Sequence, residues 1–210
     1  DLERRVPPQA CLLLLAIGPH HVNAPRAERY SSARARGYRF ATYISSRARV
    51  WPDLQIGEGC AVFENAVIEP FCRIGNNTVL RASAHVSHDG RLSDHVFLAP
   101  AATLAGKCRV ESRCFLGAKS TLRDGVTLAE RCIVGAGAVV TRSTEAGGLY
   151  VGVPARRVRE SADVSLWSPS TWPITGRMSA ARRAMENSAS TGGRAAVPGP
   201  IYAVIGNRRP

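Results

Sequence analysis

Aliphatic side chains recur at every sixth position from Ile44 to Val140 without a slip: Ile44, Val50, Ile56, Val62, Ile68, Ile74, Leu80, Val86, Leu92, Leu98, Leu104, Val110, Leu116, Leu122, Leu128, Val134 and Val140. A helix returns to its buried face about every 3.6 residues and a strand every two, so a period of six fits neither as a continuous element. It fits short strands joined by tight corners, each hexad sending one large side chain inward as the coils of a parallel β-helix stack. Four residues after each aliphatic position stand Ala48, Cys60, Ala66, Cys72, Thr78, Ala84, Gly90, Val96, Ala102, Cys108, Cys114, Ser120, Val126, Cys132 and Ala138, nearly all small. Leu54 alone breaks the rule, which marks a first coil of irregular cross-section. One large and one small residue per side fill a narrow, close-packed core.

Three hexads make a triangular coil of 18 residues, so residues 44–140 form between five and six coils. Stacked at the usual strand spacing, they stand about 25 Å tall. The fold class is therefore an all-β solenoid, with residues 44–158 as its domain. Residues 1–43 read as the remnant of an α/β domain: a buried strand at 11–17, a helix after Asn23 with Pro25 in its first turn and Gly37 past its end, and a strand from Tyr38 to Ile44. This β-α-β fragment is too small for a complete nucleotide-binding fold, and it carries no glycine-rich phosphate loop. Past Val140, residues 141–148 read as a loop, Leu149 to Val153 returns to the coils, and Pro154 stops the pattern. Residues 159–210, rich in Ser, Gly, Pro, Arg and Ala, read as a disordered low-complexity tail. The rival reading is a docking tail anchored by Trp167, Trp172 and Tyr202.

The 210 residues carry a net charge of +12, which alone would raise nucleic acid or an anionic membrane as partners. Its distribution argues against both. Residues 44–140 hold +11 and −9, residues 1–43 hold +7 and −3, and residues 141–210 hold +10 and −4, so the coils are nearly neutral. The apolar run from Cys11 to Ile17 is too short to cross a bilayer or to serve as an export signal. Five of the six cysteines, Cys60, Cys72, Cys108, Cys114 and Cys132, fall on the small inward position and read as core filler. No C-x-x-C pair suggests a metal, and free buried thiols fit a reducing, cytoplasmic compartment.

One hexad stands out chemically. In Val86-Ser87-His88-Asp89-Gly90-Arg91 the third and fourth positions, His88 and Asp89, face outward at a corner, with His85 before and His95 after. Imidazole is suited to proton transfer near neutral pH, and an adjacent carboxylate orients the ring and strengthens it as a base. One coil further, Gly106 stacks on the same edge. Lacking a β-carbon it lets a ligand approach the main chain, where its amide can hold an oxyanion. The same residues also read as ordinary exposed polar side chains around a corner glycine.

The runs SHDGRLSDHVFLAPAATLAGK, FLGAKSTLRDGVTLAERCIVGAGAVV and GGLYVGVPARRV resemble the hexapeptide-repeat acetyltransferases, in the branch of the sialic acid O-acetyltransferases and nucleotide-sugar N-acetyltransferases. The resemblance spans about residues 14–158 and implies a left-handed β-helix, a homotrimer, and acetyl-CoA as co-substrate lying between neighbouring helices. It implies that His88 is the catalytic base and Asp89 its acidic neighbour. It likewise implies that the Gly106 amide faces the thioester carbonyl and that Ala118 and Ala136 line the CoA arm. Phe97 departs from relatives that carry a second histidine there. The first 43 residues would correspond to the end of the domain that binds the nucleotide sugar. The function implied is direct acetyl transfer, in a ternary complex, to a sugar or nucleotide-sugar amine or hydroxyl.

Two rival readings remain. One is a structural or catalytically impaired trimer without its acceptor-binding domain. The other is a zinc enzyme of the γ-carbonic anhydrase type, which shares the architecture; but His85, His88 and His95 occupy different hexad positions and need not converge. Lys107, Lys119, Arg142, Arg156 and Arg157 are candidates for the CoA phosphates or simply solvated charge. His20 and His21 lie outside the coils and read as surface loop residues.

Overall fold

The computed structural model describes residues 4, 6–164 and 201–204. Seventeen two-residue strands, β3 (Tyr43–Ile44) through β19 (Val139–Val140), follow one another six residues apart. They pair in parallel with strands 18 residues away, as in Val67↔His85↔Thr103 and Arg73↔Arg91↔Arg109. They thereby sort into three sheets, the walls of a triangular prism. The first wall contains β4 (Arg49–Val50), β10 (His85–Val86) and β19; the second contains β5 (Gln55–Ile56) and β11 (Arg91–Leu92); the third contains β3 and β12 (Phe97–Leu98). The parallel solenoid expected from the hexad period is thus the observed fold, with about six turns.

The corners follow from chirality. Every sixth residue from Gly59 to Gly137 adopts φ between +50° and +70°. Only three of these positions are glycine, and at the others, including Phe71, Asp89, His95 and Lys107, an ordinary side chain holds the left-handed conformation. Such residues are disfavoured individually, and the ladder hydrogen bonds on either side hold them in place.

Inside, the inward strand residue is buried at every step from Val62 to Val140. The first coil departs from the pattern: Ile44 is 40% exposed, and Val50, Leu54 and Ile56 are only partly covered. No coil lies beneath them, so the inward position there points at an open end. The five small-position cysteines are all buried and free. Burial pushes the Cys60 thiol up to about 11 and also raises Cys72, Cys108 and Cys114. Cys132 alone is lowered, to about 6, because the Cys114 thiol, Thr144 and nearby amides hydrogen-bond to it.

At the other end the stack is closed. β20 (Gly148–Gly152) adds to the third wall beside β18 (Ile133–Val134), and β21 (Ala155–Glu160) folds back antiparallel on it. Tyr150 is buried there, its hydroxyl bonded to the Glu145 main chain at both N–H (2.9 Å) and C=O (3.2 Å).

Before the coils, β1 (Leu12–Leu15) and β2 (Arg39–Phe40) pair in parallel around α1 (His20–Ala35). His21, Val22 and Asn23 have left-handed dihedrals, so regular helix begins after Asn23, with Pro25 in its first turn. Helix α1 lies on the edge between the second and third walls. Asn23 Nδ2 donates to Cys114 O at 3.0 Å, and the fully buried Arg26 donates to Asn77 O and Oδ1, both at 3.0 Å. Burial lowers Arg26 to about 10, and its hydrogen bonds with Asn77 replace the water it loses.

Past Pro154 the described residues form short elements. Residues 155–160 form β21, residues 161–163 a 3-10 turn, and β22 (Ile201–Val204) pairs in parallel with β1. The hairpin with β20 and the open edge of β1 supply the backbone partners that composition does not report. Trp167 and Trp172 lie outside the described residues. No described helix is long and apolar enough to cross a membrane.

Candidate active site

The corner between β10 and β11 carries Ser87, His88, Asp89 and Gly90, where the first wall meets the second. The left-handed φ of 58° at Asp89 turns the chain and sets its carboxylate beside the preceding ring. Asp89 Oδ2 lies 3.0 Å from His88 Nδ1. An ionised carboxylate can only accept, so Nδ1 carries the proton and Nε2 keeps its lone pair. Both side chains are half-exposed, open to an incoming substrate.

Nε2 points along the edge to Gly106. A β-carbon built there would stand 2.6 Å from His88 Nε2 and 2.7 Å from Cε1. Imidazole and glycine therefore share one edge, one coil apart, and the glycine is the space into which the basic nitrogen projects.

The Gly106 amide itself is engaged: it donates to Asp124 Oδ1, one coil higher, at 3.0 Å. This is a recurring device of the prism. On the edge beneath α1, Glu58 N–H donates to Asn76 Oδ1 at 3.1 Å, and Asn76 N–H donates to Asp94 Oδ1. Sequence reasoning missed Asp124, although the same step of 18 that joins His88 to Gly106 reaches it.

Glu69 was missed as well. Its Oε1 accepts from His85 Nε2 and its Oε2 from the His88 backbone N–H, each at 2.9 Å. The hydrogen bond from His85, with that from the His88 amide, holds Glu69 below the usual carboxylate range. No period exposes such a residue, because the carboxylate reaches across a coil.

Ala118 and Ala136 stand one coil apart on the third edge, where the third wall turns into the first, so they flank the first wall from the side opposite His88. Among the described residues no group accepts the amide of either. His95 stands on the second edge, under α1, with Nδ1 2.9 Å from Asn77 Nδ2 and its ring 5.5 Å from that of Tyr30. Burial lowers its pKa. Thus His85 and His88 meet at Glu69 and His95 does not join them; no group of three or more His, Cys, Asp or Glu is arranged to hold a metal among the described residues. Of the basic candidates, Arg157 is paired with Glu145 at 2.8 Å and Glu160 at 2.7 Å, while Lys107, Lys119 and Arg142 are exposed.

Residues 108–142 match the sequence profile described as the hexapeptide repeat of succinyl-transferase. A search of curated proteins gave no match. Among solved structures, a histidine variant of perosamine N-acetyltransferase from Caulobacter crescentus, in complex with CoA and GDP-perosamine, is 33% identical over 76% of this chain and 73% of that one, with a TM-score of 0.69. The acetyltransferase domain of PglB from Neisseria gonorrhoeae is 27% identical over 75% of each chain, with a TM-score of 0.71. WeeI from Acinetobacter baumannii is 25% identical over 69% of each, with a TM-score of 0.62. Fold, corner and likeness together define a β-solenoid acyltransferase. The chain belongs to the hexapeptide-repeat acetyltransferases, in the branch that includes the perosamine enzyme and the PglB domain.

Proposed function

We propose that this protein transfers the acetyl group of acetyl-CoA to the amino group of a nucleotide-linked sugar, with His88 as general base. The observation that carries the reading is the His88 imidazole, oriented by Asp89 and aimed over Gly106. His88 Nε2 takes a proton from the amine as nitrogen attacks the thioester carbonyl. The C–S bond breaks, the thiolate leaves, and the proton held by His88 is available to it. Asp89 stabilises the imidazolium through Nδ1–H, as a buried acid does in other His-based acyl transfers.

The perosamine enzyme acts on an amine and has been crystallised with CoA, which supports both substrate classes. Two carboxylates, Glu69 and Asp89, lie within hydrogen-bond reach of the paired histidines, and their charge favours the arrival of an ammonium over a neutral hydroxyl; the ammonium gives one proton to solvent before the neutral amine attacks and gives its second to His88. Ala118 and Ala136, with small side chains and unclaimed amides, suit an extended CoA arm held by its peptide groups. They lie on a different edge from His88, which fits a trimer in which one copy's third edge meets the next copy's first. Five of the six outward residues of the wall between those edges, Val67, His85, Thr103, Thr121 and Val139, are half-buried and uncharged apart from the imidazole, as a subunit contact requires, and the exposed charge of Arg49 falls in the first coil, at the end of the wall.

Thiol release from acetyl-CoA, measured against a panel of nucleotide-linked amino sugars and their hydroxyl counterparts, tests the reading. We expect turnover with the amines, an amide product by mass spectrometry, and a trimer on sedimentation. Release with hydroxyl acceptors alone would move the protein to O-acetylation.

The engagement of the Gly106 amide by Asp124 favours a second reading, a solenoid with a closed oxyanion site. Asp124→Ala separates the two. If the amide serves the thioester, freeing it raises kcat/KM for acetyl-CoA by about threefold, the worth of one competing hydrogen bond. A fall in kcat/KM would make Asp124 a support of the site and not its competitor.

A further inference from the structure

At three third hexad positions, Glu58, Asn76 and Gly106, the amide is taken by a side chain one coil above. His88 has no such acceptor. The residue one coil above it is Gly106, whose missing side chain makes room for the ring. The space that admits the imidazole also removes the group that would have fixed its backbone.

Glu69 supplies the bond from the opposite direction. It sits one coil below, in the hexad that ends β7 (Val67–Ile68), and its Oε2 accepts the His88 N–H at 2.9 Å. Its own N–H donates to Val86 O at 2.9 Å, so its backbone is fixed to the strand that leads into the corner. Oε1 is held by His85 Nε2, also at 2.9 Å, which leaves the carboxylate little rotational freedom. Ser87 Oγ, 3.4 Å from the same ring nitrogen, closes the group.

We propose that Glu69 is a positioning residue for acetyl transfer: it replaces the rung lost at Gly106, locks the His88 main chain, and uses His85 as its own brace. This assignment rests on the function proposed for His88. Its consequence is that loss of Glu69 lowers turnover through the placement of His88, without touching substrate. A displacement of a catalytic group by about 1 Å can cost about a hundredfold in rate.

Glu69→Ala and Glu69→Gln test it. The glutamine keeps a carbonyl for the His88 amide and can turn its NH2 toward His85, whereas the alanine keeps neither. For Glu69→Ala we expect kcat to fall by about 10- to 100-fold with KM for acetyl-CoA within about twofold, and Glu69→Gln to recover most of the loss. Hydrogen exchange of the full-length protein supplies a readout that needs no substrate. The His88 amide should lose about tenfold in protection in Glu69→Ala and keep it in Glu69→Gln, with amides on the other two edges unchanged.

Unchanged kcat in Glu69→Ala overturns the proposal, and so does lost activity with His88 protection intact. Absence of acetyl transfer by the wild-type protein would instead remove the reading of the site. In that event the exchange experiment still decides whether Glu69 holds His88 in place.

Discussion

Replacing His88 by alanine is expected to lower kcat by about 10²- to 10⁴-fold, the usual worth of a positioned general base. The size of the effect follows from the corner. Asp89 accepts a hydrogen bond from Nδ1–H, so Nε2 is the one basic ring nitrogen turned toward Gly106, and no second imidazole stands within reach: His85 is committed to Glu69 and His95 to Asn77 beneath α1. The fold should be indifferent. His88 has a half-exposed side chain, packs in no core cluster, and its backbone bonds to Lys107 and Glu69 do not need the ring. Melting temperature and acetyl-CoA affinity by calorimetry should therefore match the parent while thiol release collapses. Retention of most of the turnover would remove His88 from the mechanism, and loss of CoA binding would make it part of the binding surface.

Gly106→Ala carries the second large effect, about a hundredfold in kcat, for a geometric reason. At two other corners, Gly75 and Gly117, backbone stands in the way of a side chain. A β-carbon at Gly75 meets Asp94 N at 2.8 Å, and one at Gly117 meets Ala136 N at 2.6 Å. At Gly106 the three nearest atoms all belong to side chains: two in the His88 ring and, at 3.2 Å, Asp124 Oδ1. The half-exposed ring can swing away, so the coil survives the methyl group and the base leaves its place. We expect a melting temperature within a few degrees of the parent, beside a Gly75→Ala control that lowers it markedly. A cooperative loss of structure in Gly106→Ala, or full activity with a displaced ring, would contradict this account.

How far the site was legible follows from how each contact is made. Counting by 18 places His88 under Gly106, and Ala118 under Ala136, because ladder registry is a property of the main chain alone. The same count reaches Asp124, but that its carboxylate is spent on the Gly106 amide depends on a side-chain rotation. Glu69 is less legible again, since it bonds across 19 residues to the His88 main chain and 16 to the His85 ring, neither of them the period. His95 had the outward hexad position of a ligand; only the packing of α1 over its edge makes it a structural residue. Ile44 fits the pattern perfectly and still lies open, because periodicity does not say where a stack ends.

The registry also governs how the chain can vary. Tiers can be added below β3 or within the closing hairpin without altering the relation of imidazole to glycine. Between Glu69 and Asp124 there is no such freedom. One residue gained or lost turns the following corners onto other edges, and even a whole extra turn between His88 and Gly106 would carry them about 9.6 Å apart, two strand spacings. In descendants of this protein, length should be tolerated at the ends of the column and forbidden through its middle.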